Sequence, residues 1–332
     1  MNTLILAPFS NEGLTTLGTM GSVCYEPWTQ TNKLQDPEEL GIRLRSDNFQ
    51  ALIVEADFLF EELFAAAQDL RFAAICRAAL NQVDLDAATE HGVTIVHTPG
   101  RNAQAVAELV MGLMYSLARH IPQTTSYVGD GRWQDPTEAY TAFRGRELAG
   151  ATLGVIGFGA IGKSVAKLAH AVGMRVVAHD PYVQPGSRST AGVRFVDLET
   201  LLRAGDFITV HVPETPETTC MLSDDLLSLM RSSAYLVNVT SPAVVDQDAL
   251  ASALREGRLA GAAMDVHDAH PIPPNSPFLR VPNVLLTPHI GGATHETIQR
   301  HSQMVVTDIQ RFLKGQKPLH LANPAVWGHR GK

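Results

Sequence analysis

Between Thr152 and Asp180 the chain spaces three glycines in a way that few folds can use. The apolar run Thr152-Leu153-Gly154-Val155-Ile156 reads as a buried parallel strand. Gly157-Phe158-Gly159-Ala160-Ile161-Gly162 follows as a turn. Lys163 to Gly173 then reads as a helix closed by glycine, and Met174 to Ala178 as a second strand ending at His179-Asp180-Pro181. Each glycine has its own physical use. Gly157 permits a tight turn, Gly159 lets a pyrophosphate approach the backbone, and Gly162 lets the helix pack close to the strand. The helix N-terminus adds unpaired N–H donors and the positive end of its dipole. A lone Gly-x-Gly-x-x-Gly is a weak signal; here the strand before it, the helix after it and an acid at the end of the second strand occur together. Asp180 can accept hydrogen bonds from both adenosine ribose hydroxyls and would repel a 2′-phosphate. The pattern therefore implies a dinucleotide-binding unit that takes NAD in preference to NADP. Arg188 is the nearby cation that would serve a phosphate if its loop folded back.

The other segments fit an α/β chain of 332 residues, a length for about two domains. Leu4-Ile5-Leu6, Ala51–Val54, Ala73–Cys76 and Val93–Val96 read as buried parallel strands of a small α/β domain. Asn102 opens a helical run to about Arg119 with only Glu108 and Arg119 charged beyond its start, so much of it should be buried or in an interface. Gly129 to Gly150, with Trp133 and Tyr140, reads as an extended arm or connection. Strands are expected at Phe207–Val210, Tyr235–Asn238, Gly261–Met264 and Val284–Leu286, with helices at Leu198–Arg203, at Asp246–Arg255 and from Thr294 to about Leu313.

Composition excludes several classes. A net charge of −8 offers no basic field to nucleic acid or anionic lipid. Cys24, Cys76 and Cys220 have no paired spacing, which argues against a disulfide framework or zinc site and suits a reducing cytosol; a cytoplasmic location is expected. Met1 to Pro8 lacks the pattern of a signal peptide, and the apolar stretch Ala105–Ala118 is too short to span a bilayer.

Gly145–Asp180 resembles the D-isomer-specific 2-hydroxyacid dehydrogenases, and the likeness continues elsewhere. Asn81-Gln82-Val83-Asp84-Leu85-Asp86-Ala87-Ala88 is similar to the substrate-domain segment of phosphoglycerate dehydrogenases. Thr98-Pro99-Gly100-Arg101-Asn102 with Val106-Ala107-Glu108 resembles the entry to the family's interdomain helix. His211-Val212-Pro213 with Thr218 resembles the loop beside the nicotinamide ribose. Gly261–Val266 resembles the family's Asp-Val strand end, and Thr287-Pro288-His289-Ile290-Gly291-Gly292-Ala293-Thr294 the segment with the catalytic histidine. The resemblance implies a Rossmann NAD-binding domain, 101–293, inserted into a discontinuous flavodoxin-like α/β substrate domain, 1–100 and 294–332. It also implies an active site between the domains, a small-molecule substrate and a homodimer. It assigns the cofactor to Gly157, Phe158, Gly159, Ala160, Ile161, Gly162, Asp180, His211, Val212, Pro213, Thr218, Val239, Thr240, Asp265 and Gly291.

The catalytic set departs from the family. An arginine there holds the substrate carboxylate, a histidine exchanges the proton while nicotinamide exchanges the hydride, and a glutamate orients that histidine. His289 matches the histidine. Ser241 stands at the arginine position, followed by Pro242 where the family has glycine, and serine cannot grip a carboxylate bidentately. His270 stands at the glutamate position, where formate dehydrogenases of the family carry glutamine. A neutral His270 could hydrogen-bond His289, or act as the acid/base itself; Asp268 is the nearest alternative carboxylate. His267, Asp268, His270 and His289 could suggest a metal, but the family has none there and none is expected. Ala79 and Leu80, in the loop that meets the substrate, and Arg101 are candidate substrate contacts; Arg77 is another nearby cation, and His97 replaces a common asparagine. The expected function is NAD(H)-dependent hydride transfer at a hydroxyl or carbonyl carbon of an atypical substrate. His289 and His270 would be catalytic, and Ser241 would donate a hydrogen bond to substrate. The alternatives are a noncatalytic NAD(H)-binding sensor or interaction protein, and an NAD-retaining lyase or epimerase.

Overall fold

The computed structural model describes residues 1–189 and 192–328. The chain forms two compact units, Met1–Arg101 with Thr294–Lys332, and Asn102–Ala293. Residues 329–332 of the first unit lie outside the described residues.

The first unit is built on five parallel strands, β1 (Thr3–Ile5), β2 (Val23–Tyr25), β3 (Ala51–Val54), β4 (Phe72–Ile75) and β5 (Thr94–His97), in the order β2-β1-β3-β4-β5. This is the flavodoxin-like order. Both faces are covered, so the central strands are continuously apolar instead of alternating. Leu52 and Val54 of β3 join one core with Leu40, Leu44 and Leu63. Ala51 and Ile53 join the other with Val305, Ile309 and Phe312 of the helix His295–Leu313. The C-terminal helix thus completes the fold that the N-terminus begins. β2 has no counterpart in the sequence reading, because three half-buried residues at a sheet edge give little periodic signal.

The second unit holds seven parallel strands, β6 (Thr152–Ile156), β7 (Arg175–His179), β8 (Arg194–Phe195), β9 (Phe207–Val210), β10 (Tyr235–Asn238), β11 (Gly261–Met264) and β12 (Val284–Leu286). Their order is β12-β11-β10-β9-β6-β7-β8, a Rossmann sheet with one added edge strand. Strand order reverses between β6 and β9, and ligands of such sheets bind beyond the carboxyl ends at that point. The helix Ala103–Arg119 buries Val106, Val110, Met114 and Leu117 against Leu153, Val155 and Val237.

One expectation is corrected. Gly129–Gly150 is not an extended arm throughout: a helix at Ile121–Gly129 leads into it, and Pro136–Ala142 is a second helix. Asp135 caps the latter by accepting from the Thr137 N–H, and Pro136 sits in its first turn, where a missing N–H costs nothing.

Candidate active site

The glycine loop joins β6 to the helix Ala160–Ala171. Gly157 has φ +88°, and a Cβ there would lie 2.7 Å from the His211 carbonyl oxygen. A Cβ on Gly162 would run into the Gly157 carbonyl oxygen. Gly159 is different: no atom lies within 4 Å of where its Cβ would be, and no side chain caps the helix it begins. Open space before an uncapped helix N-terminus is what a pyrophosphate requires. Asp180, just past β7, accepts from the Phe158 N–H at 2.9 Å and the Tyr182 N–H at 3.0 Å. Its half-buried carboxylate is fixed by backbone donors with lone pairs to spare for ribose hydroxyls. The site fits a nicotinamide dinucleotide. Phe158 packs into the core, edge-on to Phe195 at 5.1 Å, and the half-buried Ile161 packs against the same core.

Beyond β9 and β10 the candidates mostly tie loops together. His211 is buried, with Nε2 2.9 Å from Thr209 Oγ1, and burial pushes its pKa down to about 3, so the ring is neutral. Val212 and Val239 are core residues. Thr218 donates to the Pro213 carbonyl at 2.7 Å and accepts from the Thr215 N–H at 2.8 Å, closing its loop. Thr240 donates to the Val210 carbonyl at 2.7 Å, linking the ends of β9 and β10. Ser241, 7% exposed, donates its one hydroxyl proton to Glu214 Oε2 at 2.7 Å and accepts from the Ala243 N–H.

Beyond β11 and β12 lies a histidine pair. Asp265 is buried at the end of β11 and accepts from Thr287 Oγ1 at 2.6 Å, the Ile290 N–H at 2.9 Å and the Gly291 N–H at 2.7 Å. It therefore grips both sides of His289. A Cβ on Gly291 would lie 2.9 Å from Asp265 Oδ2, so glycine permits that approach. His289 has φ +56°, a left-handed conformation uncommon outside glycine, held by this grip. Its Nδ1 is 3.0 Å from His270 Nε2. His267 is turned away, its Nε2 2.9 Å from the Thr287 carbonyl, and Asp268 accepts from Gln247 at 2.7 Å. Among the described residues, no group of three or more His, Cys, Asp or Glu is arranged to hold a metal ion. No helix among them is long and apolar enough to cross a membrane.

In the first unit, Ala79 is exposed and Leu80 half-buried in the turn after β4. Arg101 is already engaged: Nη2 meets Glu55 Oε1 at 2.6 Å and Nη1 donates to His301 Nδ1 at 2.9 Å. His301 is buried, with Nε2 2.7 Å from the Pro8 carbonyl, and desolvation lowers its pKa to about 4. Arg77 donates to Gln82 Oε1 at 3.3 Å, and His97 Nδ1 lies 3.0 Å from the Ala78 carbonyl. Sequence reasoning missed Glu214 and the Glu55–Arg101–His301 network, whose members are distant in sequence. Glu214 carried one signal, an acid in the loop after His211-Val212-Pro213.

Comparisons with known proteins agree with this geometry. Residues 111–291 match the family model "D-isomer specific 2-hydroxyacid dehydrogenase, NAD binding domain". The chain is 36% identical to the "Putative 2-hydroxyacid dehydrogenase YoaD" of Bacillus subtilis (strain 168), over 97% of this chain and 93% of that protein. It is 37% identical to the glyoxylate reductase of Korarchaeum cryptofilum (strain OPF8), over 80% of each. The crystal structure of the TT0316 protein from Thermus thermophilus superposes with a TM-score of 0.84 at 34% identity, covering 97% of this chain and 100% of that one. The chain therefore belongs to the D-isomer-specific 2-hydroxyacid dehydrogenase family, as an oxidoreductase dependent on NAD(P).

Proposed function

We propose that this oxidoreductase uses NAD, with His289 as acid/base, on a small molecule that departs from the family's usual 2-hydroxy acids. The observation that carries the reading is the His289–His270 pair, 3.0 Å apart at the same carboxyl-end edge of the sheet from which the glycine loop leaves β6. The backbones of Gly157–Gly162 hold the pyrophosphate and Asp180 the adenosine ribose, where its charge disfavours a 2′-phosphate. The loops at 211–218 and 239–240 line the nicotinamide half. When bound, the cofactor accepts or supplies the hydride. The protein's own part is to move the proton, at the His289 nitrogen opposite His270, while Asp265 and His270 fix the ring. His270 is a positioning residue, Asp265 and Gly291 set the loop, and Ser241 acts through Glu214 instead of donating to substrate. The unit containing Ala79 and Leu80 serves as substrate domain, with Arg101 as an internal brace. A second copy is proposed to cover Ile121, Val128, Trp133 and Tyr140, which are all exposed, in a cytoplasmic homodimer.

His289→Asn tests this reading, because asparagine tolerates the left-handed backbone. Turnover of any accepted substrate should fall at least about a hundredfold, while NADH binding by fluorescence stays within about twofold. Retained turnover would remove His289 from the mechanism. NADH binding by the unmodified protein without turnover on a broad panel of hydroxy acids, sugar acids and alcohols would favour a noncatalytic role.

A further inference from the structure

The His289–His270 contact joins a constrained ring to an exposed one. Asp265 fixes the backbone around His289, whose Nδ1 lies 3.0 Å from His270 Nε2. The ring centroids are 5.0 Å apart and the ring planes are inclined by 36°. His270 is exposed, and its Nδ1 has no hydrogen-bond partner among the described residues. The neighbouring titratable groups are engaged elsewhere. The His267 ring, 6.3 Å from that of His270, places Nε2 on the Thr287 carbonyl. Gln247 donates to both oxygens of Asp268, and Asp265 already accepts three donors. The contact thus leads from His289, through both nitrogens of His270, to solvent.

We infer that His270 is a proton relay, which carries the proton that His289 takes from substrate out to solvent. This rests on the acid/base reading of His289 above and goes beyond the orienting role given there to His270. Imidazole suits the task, because a ring that accepts a proton at one nitrogen can release another from the second. In oxidation the hydroxyl proton passes to the His289 nitrogen opposite His270. The proton on His289 Nδ1 moves to His270 Nε2, and the proton on His270 Nδ1 moves to water. Each transfer breaks one N–H or O–H bond and forms another, and both rings end neutral with their tautomers exchanged. After product leaves, loss of the new His289 proton to water and return of one to His270 Nδ1 restore the starting pair. Reduction uses the same path inward. A carboxylate partner works differently: it keeps the proton on the histidine and stabilises the imidazolium by charge. A second imidazole offers no such charge, so onward transfer avoids leaving an imidazolium beside it.

Glutamine separates a relay from a brace, since its amide donates and accepts hydrogen bonds but does not pass a proton on. The first measurement needs no substrate. In the unliganded full chain carrying isotope-labelled histidine, NMR follows exchange with water of the ring proton shared by His289 and His270. His270→Gln should slow exchange of the His289 proton by about tenfold or more near neutral pH. The second uses whichever compound of the hydroxy acid, sugar acid and alcohol panel turns over. His270→Gln should lower kcat by about 10- to 100-fold with KM nearly unchanged, as His270→Ala does, and added imidazole should recover most of the loss in His270→Ala alone. Exchange unaltered by glutamine overturns the relay. So does near-normal turnover by His270→Gln, or no response of His270→Ala to imidazole. The two readings fail separately. If exchange depends on His270 but no panel compound turns over, the proton path stands and the acid/base role of His289 falls; if His270→Gln turns over normally while His289→Asn does not, the reverse holds.

Discussion

His289 and His270 meet through Nδ1 and Nε2 at 3.0 Å, so the ring expected to exchange protons is oriented by a second imidazole instead of a carboxylate. One of the two nitrogens must donate and the other accept. A carboxylate in this place would favour the imidazolium by charge; an imidazole cannot do so without competing for the same proton.

His270→Ala should therefore lower kcat by about 10- to 100-fold with little change in KM, because it removes orientation and not substrate binding. His270→Glu should restore kcat and move the pH profile. An adjacent carboxylate stabilises the charged ring, so the limb reporting His289 deprotonation shifts to higher pH. Rate profiles of the two variants against pH decide the matter; a profile unmoved by His270→Glu would mean that position 270 does not act on His289.

The glycines at 159 and 162 should separate binding from folding. Gly159 has φ −74° and open space at its Cβ, so Gly159→Val should leave the melting temperature nearly unchanged while weakening NADH by about tenfold or more. Gly162→Ala drives a methyl into the Gly157 carbonyl and should cost about 1–3 kcal/mol of stability. Thermal melts with and without NADH distinguish the two effects.

Acid should destabilise the fold well before its carboxylates are all protonated. His211 and His301 have folded pKa values of about 3 and about 4, against an ordinary 6.5. Between those values and 6.5 the unfolded chain binds more protons, so stability is fully present above about pH 6.5 and is lost as pH falls toward 4. Each buried ring contributes at most about 1.4 kcal/mol per pH unit to this slope. His301→Gln, with an amide to meet Arg101 and the Pro8 carbonyl, should flatten the pH dependence of chemical denaturation between pH 6.5 and 4. An unchanged slope would show that His301 already titrates normally in the fold.

The dinucleotide unit is legible because its signals are local. Strand, glycine turn, helix and acid lie within one βαβ stretch, and Phe207–Val210, Tyr235–Asn238 and Gly261–Met264 are unbroken apolar runs bounded by turns. Arg194–Phe195 is not, since two residues carry no period. The helix Pro136–Ala142 escapes the sequence reading although Asp135-Pro136-Thr137-Glu138 has the signature of a helix start; the flanking glycines and polar residues outweigh it. Identity changes at Ser241 and His270 are visible by resemblance, but their partners are not. The hydroxyl of Ser241 goes to a residue 27 positions away, and Asp265 reaches 25 and 26 positions to the 290–291 backbone, contacts that only the closed sheet creates.

That grip separates where a group is held from what it is paired with. His289 hangs from a strand end through the Thr287 hydroxyl on one side and the backbone N–H groups of Ile290 and Gly291 on the other, all held by Asp265. The side chains at 241 and 270 have no share in the suspension. The scaffold can thus exchange its neighbours and keep its proton carrier in register, so that a lineage can change what it reacts with by small steps without first losing the ability to react.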